Sequence, residues 1–113
     1  MRTTYENVPG NPEIGWLLGG SPDEVPDIYA LASPITHAGP ASPPTLLFQG
    51  QHDWYMPLEA TRALHHKLLA AGVPSVYDEF PQTDHAFDLI LPRYAPAARV
   101  ARRTLDNFLA LML

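Results

Sequence analysis

Cysteine is absent from the 113 residues, which excludes disulfides, thiolate nucleophiles and thiolate zinc centres. Basic residues are scarce: seven Lys and Arg stand against twelve Asp and Glu, for a net charge of −5. The chain therefore offers no basic stripe for nucleic acid or for an anionic membrane surface. No apolar run approaches the ~20 residues that a membrane-spanning helix needs. Met1-Arg2-Thr3-Thr4-Tyr5 is not followed by an apolar core, so the start does not read as a secretory leader. That pattern slightly favours a cytoplasmic setting, although a leader ahead of Met1 in a longer parent would escape this reading.

The residues present describe a packed domain. Apolar types make up 46% and charged types 17%, a balance suited to one small core and not to a disordered tail. Proline is abundant at 13 residues, and positions 9, 12, 22, 26, 34, 40 and 43 crowd into the first part of the chain. Residues 1–43 are thus expected to be an irregular lead-in with two short helices. One would run from Pro12 to Leu18. The other would start at Ser21-Pro22-Asp23-Glu24, with serine as cap, proline in the first turn and acids at the positive end of the helix dipole. It would extend to about Ala32, present Val25, Ile28, Tyr29 and Ala32 on one side, and stop at Ser33-Pro34.

From residue 44 the pattern becomes regular. Thr45-Leu46-Leu47-Phe48-Gln49 is a short apolar run between Pro43-Pro44 and Gly50, as expected of a strand buried on both faces in a parallel sheet. Pro57 to Ala71 reads as a helix with Leu58, Thr61, Leu64, Leu68 and Ala71 on its apolar face, closed by Gly72. Ser75 to Phe80 alternates as a strand nearer a sheet edge. A last helix from about Ala95 to Leu113 would bury Ala97, Val100, Ala101, Thr104, Leu105, Phe108 and Met112. The order strand, helix, strand, helix over residues 44–113 is that of an α/β sheet segment. Two parallel strands alone leave their outer edges unpaired, so further strands are expected elsewhere in the complete protein. In the isolated chain, the edge at Thr45–Gln49 is expected to drive self-association.

Two loops carry candidate chemistry. Gly50-Gln51-His52-Asp53 follows the first strand, and Asp84-His85-Ala86-Phe87 follows the second. Functional groups in α/β sheets gather beyond the carboxyl ends of the strands, so Asp53 and His85 can face one another. Such a pair suits nucleophilic acyl transfer. The imidazole takes the proton of an attacking serine, while the carboxylate fixes its tautomer and stabilises the imidazolium that forms.

The run Leu31-Ala32-Ser33-Pro34-Ile35-Thr36-His37, then Pro43-Pro44-Thr45-Leu46-Leu47-Phe48-Gln49-Gly50-Gln51-His52-Asp53, then Asp84-His85-Ala86-Phe87 resembles the C-terminal part of esterase/lipase-type α/β-hydrolases. The resemblance covers roughly residues 11–113. It implies a serine carboxylic-ester hydrolase acting on a small-molecule ester without metal or cofactor, in which Asp53 is the triad acid and His85 the general base.

The sequence departs from that family in lacking Gly-x-Ser-x-Gly. Gly19-Gly20-Ser21-Pro22-Asp23 imitates it, but Asp23 replaces the second glycine and Pro22 lacks the N–H of an oxyanion hole. Ser21 is better explained as a helix cap. The chain is accordingly expected to be inert alone, and a non-catalytic binding or interface module is the alternative. A metal site built from His52, Asp53, Asp84 and His85 would suit zinc or manganese, but adjacent His-Asp pairs point opposite ways unless the backbone bends. Asp84 and Asp88 read as loop stabilisers, His52 as part of a turn, and His37 as support for the approach to the first strand. His65-His66 reads as helix surface. Tyr55, Met56 and Phe87 are candidates for an acyl pocket and equally for packing beside the sheet.

Overall fold

The parallel strand pair that the sequence calls for is present and fixes everything around it. A computed structural model describes residues 12–89 and 91–113. Residues 1–11 of the proline-rich lead-in, including Pro9, lie outside the described residues. In chain order come α1 (Pro12–Leu18), α2 (Pro26–Ala32), α3 (Pro34–His37), β1 (Thr45–Gly50), α4 (Leu58–Ala70), β2 (Ser75–Phe80) and α5 (Pro96–Met112). β1 and β2 pair in parallel, in a register running from Thr45 opposite Ser75 to Gly50 opposite Phe80. Their carboxyl ends are therefore level, and the Asp53 and His85 loops leave the sheet side by side.

The β1–α4–β2 unit forms for local reasons. Parallel neighbours cannot be joined by a tight turn, so the chain crosses back through a helix. The expected face of α4 is the one covered: Leu68 is buried, and Leu58, Thr61 and Leu64 are half-buried, as is Ala71 just beyond it. The helix closes in a Schellman arrangement. Gly72 adopts φ +76° and donates to Leu69 O at 3.0 Å, while Val73 donates to Leu68 O at 3.0 Å. Val73 and Leu68, the apolar pair of this motif, are both buried. Glycine holds position 72 because its backbone is left-handed.

The lead-in differs from expectation at its second helix. Ser21 does not cap α2, whose preceding residue is Val25. Glu24 N and Val25 N both bond to Ser21 O at 3.0 Å, which makes one isolated turn. Pro26 has no N–H to continue that turn, and its ring holds Val25 out of helical geometry, at φ −132° and ψ 55°, so a new helix begins. Ser21 does serve this first turn: its N–H and Oγ–H both donate to Glu24 Oε2 at 2.8 Å. The Ser21 N–H, first, and then its hydroxyl hold the Glu24 carboxyl below the usual range. Of the expected face of α2, Tyr29 is buried and Val25 half-buried, whereas Ile28 and Ala32 are exposed. The one-turn helix α3 was not anticipated. Lys67 Nζ donates to Ile35 O at 2.6 Å, tying α3 to α4.

Two further expectations are corrected by the thin sheet. β1 was expected to be buried on both faces, but only Gln49 and Gly50 are buried and Thr45 to Phe48 are half-buried. α5 lies against β1, and its buried residues are small, Ala98 and Ala101. Ala97, Thr104 and Phe108 are half-buried, and Val100, Leu105 and Met112, expected inside, are exposed. The helix is amphipathic, but a sheet of two strands is too narrow to cover its apolar stripe.

One ion pair braces the unit. Arg62 on α4 grips Glu79 on β2 with Nε to Oε2 at 2.7 Å and Nη2 to Oε1 at 2.8 Å, the bidentate geometry that a guanidinium favours. Gln51 Nε2 adds a bond to Glu79 Oε1 at 3.2 Å. The Arg62 hydrogen bonds hold the Glu79 carboxyl down at about 2. Burial, with Glu79 nearby, keeps the Tyr77 phenol above its usual range, and its hydroxyl has no hydrogen-bond partner of normal geometry among the described residues. Because the carboxyl of Glu79 is depressed in the folded state, its contribution to stability is complete above its ordinary value of 4.5 and is lost as pH falls toward 2. Glu79→Gln is expected to lower the denaturant midpoint at neutral pH and to flatten the acid limb of the stability curve across that window. An unchanged acid limb would refute the assignment.

Candidate active site

The site begins where β1 ends, at a glycine that the fold cannot replace. A Cβ on Gly50 would lie 2.2 Å from Thr83 O and 2.8 Å from Asp84 O. Without it, the loop after β2 lies directly against the end of β1. The loop after β1 then bonds to the end of β2 and to the loop beyond it, Gln51 N to Phe80 O at 2.9 Å and His52 N to Thr83 O at 3.0 Å. Ladder-like pairing thus continues past the strands and delivers Asp53 and His85 to the same place.

Asp53 follows at once, with its N–H on Gly50 O at 3.2 Å. Its Oδ1 accepts from the backbone N–H groups of Tyr55 and Met56, each at 2.9 Å, an Asx-type turn that fixes the carboxylate plane. Oδ2 is left for His85 Nδ1, at 2.9 Å. The Asp53 side chain is only 8% exposed, against 47% for that of His85. Accepting from Nδ1–H fixes the tautomer in which Nε2 is the unprotonated nitrogen, free to take a proton. The Tyr55 ring packs on His85 with centroids 5.1 Å apart. Ala86, next in the chain, has a left-handed φ of 55°, a conformation costing an alanine about 1 kcal/mol. It turns the chain sharply after His85, and Leu89 N closes that turn on Ala86 O at 3.0 Å.

An open cavity of about 460 Å³ adjoins the pair. Leu47, Phe48, Met56, Leu64 and Phe87 supply its apolar lining, and Asp53 and His85 border it. Met56 and Phe87 line this cavity, the Phe87 ring also packing on Phe80 with centroids 4.8 Å apart, whereas Tyr55 meets the imidazole.

The remaining polar candidates lie elsewhere or do other work. His52 is exposed and takes part in the loop pairing through its backbone. Nε2 of His37 bonds with Leu31 O at 2.7 Å, which links α3 back to α2. Among the described residues, no group of three or more His, Asp or Glu side chains could hold a metal ion. Each serine is committed or enclosed. Ser21 serves Glu24 and borders a separate depression with Trp16 and Tyr29. Ser33 is fully buried, and Ser42 Oγ accepts from Gly39 N at 3.0 Å. Ser75 Oγ meets His65 Nδ1 at 2.8 Å, at the opposite end of β2 from His85. Gln49 was missed by sequence reasoning. It is 4% exposed and bonds both to Met56 O, at 2.7 Å, and to the Thr61 hydroxyl. A polar amide in an apolar strand was the available signal.

Comparison with known proteins follows the same lines. The family profile described as BD-FAE matches residues 1–68, a stretch that includes Asp53 and ends within α4. Three curated relatives come from Mycobacterium tuberculosis (strain ATCC 25618 / H37Rv). The probable carboxylic ester hydrolase LipM is 35% identical over 83 residues, 73% of this chain and 19% of its own length. Esterase LipQ is 37% identical over 65 residues, 57% of this chain and 15% of its own length. Esterase LipC is 35% identical over 69 residues, 60% of this chain and 17% of its own length. The chain thus spans less than a fifth of the length of the curated relatives it matches. No solved structure matches it. Among the described residues, no helix is long and apolar enough to cross a membrane. With an α/β architecture and this family match, the chain belongs to the BD-FAE family of α/β-hydrolase esterases.

Proposed function

We propose that this chain supplies the acid and base of a serine carboxylic-ester hydrolase whose nucleophile comes from outside these 113 residues. The observation that carries the reading is the Asp53 Oδ2–His85 Nδ1 bond of 2.9 Å, made by a carboxylate whose other oxygen is held by two backbone N–H groups. His85 Nε2 would take the proton of the attacking serine and return it to the leaving alcohol. Asp53 would keep Nδ1 protonated and stabilise the imidazolium between those steps. The acyl-enzyme formed by the serine is then cleaved by water, with His85 acting as base a second time. Residues 44–113 form the core segment of this machinery and residues 1–43 its lead-in. The substrate is a small-molecule ester whose acyl part lies against Met56 and Phe87.

A fluorophosphonate probe tests the division of labour. Expected is labelling of a serine in the complete protein and none of Ser21, Ser33, Ser42 or Ser75 in the 113-residue chain. Labelling of the isolated chain would overturn it.

The same reading predicts how the isolated chain behaves in solution. β1 has one paired edge in the two-stranded sheet, and Val100, Leu105 and Leu109 of α5 are exposed. An edge left unpaired among the described residues, together with exposed apolar surface, favours association. Sedimentation of the chain is expected to show dimers or larger species that dissociate on dilution, and a monodisperse monomer at high concentration would count against it.

A further inference from the structure

Gln49 sits in a strand whose neighbours Leu46, Leu47 and Phe48 are apolar, and it is almost wholly buried. A leucine would satisfy the strand equally well, so the buried amide calls for a reason. Its two ends are assigned by their partners. Thr61 Oγ1 on α4 donates to Oε1, which leaves Nε2 to donate to Met56 O at 2.7 Å. Met56 N in turn donates to Asp53 Oδ1 at 2.9 Å. Met56 is therefore held through its N–H by the candidate acid and through its carbonyl by Gln49.

We propose that Gln49 is the positioning residue for Asp53: anchored by Thr61, it fixes Met56 and so aims Oδ2 at His85. The proposal rests on the acid–base reading of Asp53 and His85 for its catalytic meaning, but not for its structural claim. Without the amide, Met56 O and the Thr61 hydroxyl would lose their buried partner. The turn that orients Asp53 would then relax, and the imidazole would lose its hold on the Nδ1–H tautomer. Gln49 touches neither His85 nor a reacting atom, so its effect must travel through Met56 and Asp53.

The test is long-range proton–nitrogen NMR of the complete protein, 15N-labelled at histidine and at alkaline pH, which reads the tautomer of neutral His85 directly. The unaltered protein is expected to show mainly the Nδ1–H form. Gln49→Met, similar in length but unable to make either bond, should move the tautomer ratio about ten-fold toward Nε2–H, in proportion to a lost buried hydrogen bond. Thr61→Val should move it in the same direction by less. Ile35→Val, a loss of packing at the buried Ile35 of α3 that leaves both Gln49 bonds intact, should leave it unmoved. An unchanged ratio in Gln49→Met, or an equal shift in Ile35→Val, overturns the proposal. If Gln49→Met does not fold, Thr61→Val decides: a shifted ratio supports the proposal and an unshifted one refutes it. In the complete protein, Gln49→Met should lower kcat and leave KM near its original value. Should His85→Ala leave ester turnover intact, the catalytic reading fails while the tautomer result still judges Gln49.

Discussion

His85→Ala is expected to reduce kcat for ester hydrolysis by the complete protein by about 10⁴-fold to 10⁶-fold, the range found when the base of such a triad is removed. The partner substitution is more informative about mechanism. In Asp53→Asn, the amide oxygen can still accept from Tyr55 N and Met56 N, as Asp53 Oδ1 does at 2.9 Å. Its NH₂ would then face His85 Nδ1, turning that nitrogen into an acceptor and placing the proton on Nε2. A protonated Nε2 cannot serve as base, so kcat should fall by about 10⁴-fold while the fold survives. Steady-state hydrolysis of a chromogenic ester, with thermal unfolding of the same samples, separates the two effects. Near-normal turnover in His85→Ala would remove the triad assignment. Loss of turnover in Asp53→Asn together with collapse of the fold would instead make Asp53 a structural turn residue.

The sequence made these two residues visible because their constraints are local. Asp53 follows an apolar strand and a glycine, and His85 follows an alternating strand. A parallel pair in level register leaves no other place for the loops to go. β1, α4 and β2 were legible for the same reason, since each is bounded by proline or glycine and carries its own periodicity. What escaped notice depends on partners distant in sequence. The left-handed Ala86 is imposed by the turn closing on it, and an alanine gives no sign of that. Gln49 falls within a run that reads as an apolar strand, and its role depends on Met56 and Thr61, which take the two ends of its amide. The error in α5 is of another kind. The helix was found, but Val100, Leu105 and Met112 of its expected face are exposed and Ala98, not expected inside, is buried; periodicity marks a face that can be buried, and the width of the available sheet decides how much of it is. The split before α2 came from Pro26, whose effect on Val25 outweighs the cap at Ser21.

Gly50→Ala is expected to have the largest effect on the fold, because the atoms it would meet are backbone. The new methyl would fall 2.2 Å from Thr83 O and 2.8 Å from Asp84 O, and neither oxygen can rotate away as a side chain could. The clash can be relieved only by lifting the 83–85 loop off the end of β1. That movement breaks His52 N–Thr83 O and strains Gln51 N–Phe80 O, the two bonds that continue the strand pairing. A loss of about 3 kcal/mol is expected, the upper part of the usual range for overpacking a rigid site. His85 is carried by the same loop, so the Asp53–His85 bond should lengthen even in molecules that remain folded. Its tautomer should then drift toward Nε2–H, and activity of the complete protein should fall further than stability alone explains. Gly39→Ala is the matched control, since a Cβ there meets nothing within 4 Å and its φ is not left-handed. Denaturant unfolding of both variants, read beside the His85 tautomer, decides the matter. A Gly50→Ala protein as stable as Gly39→Ala would show that the close approach of the two loops does not hold the acid and base together.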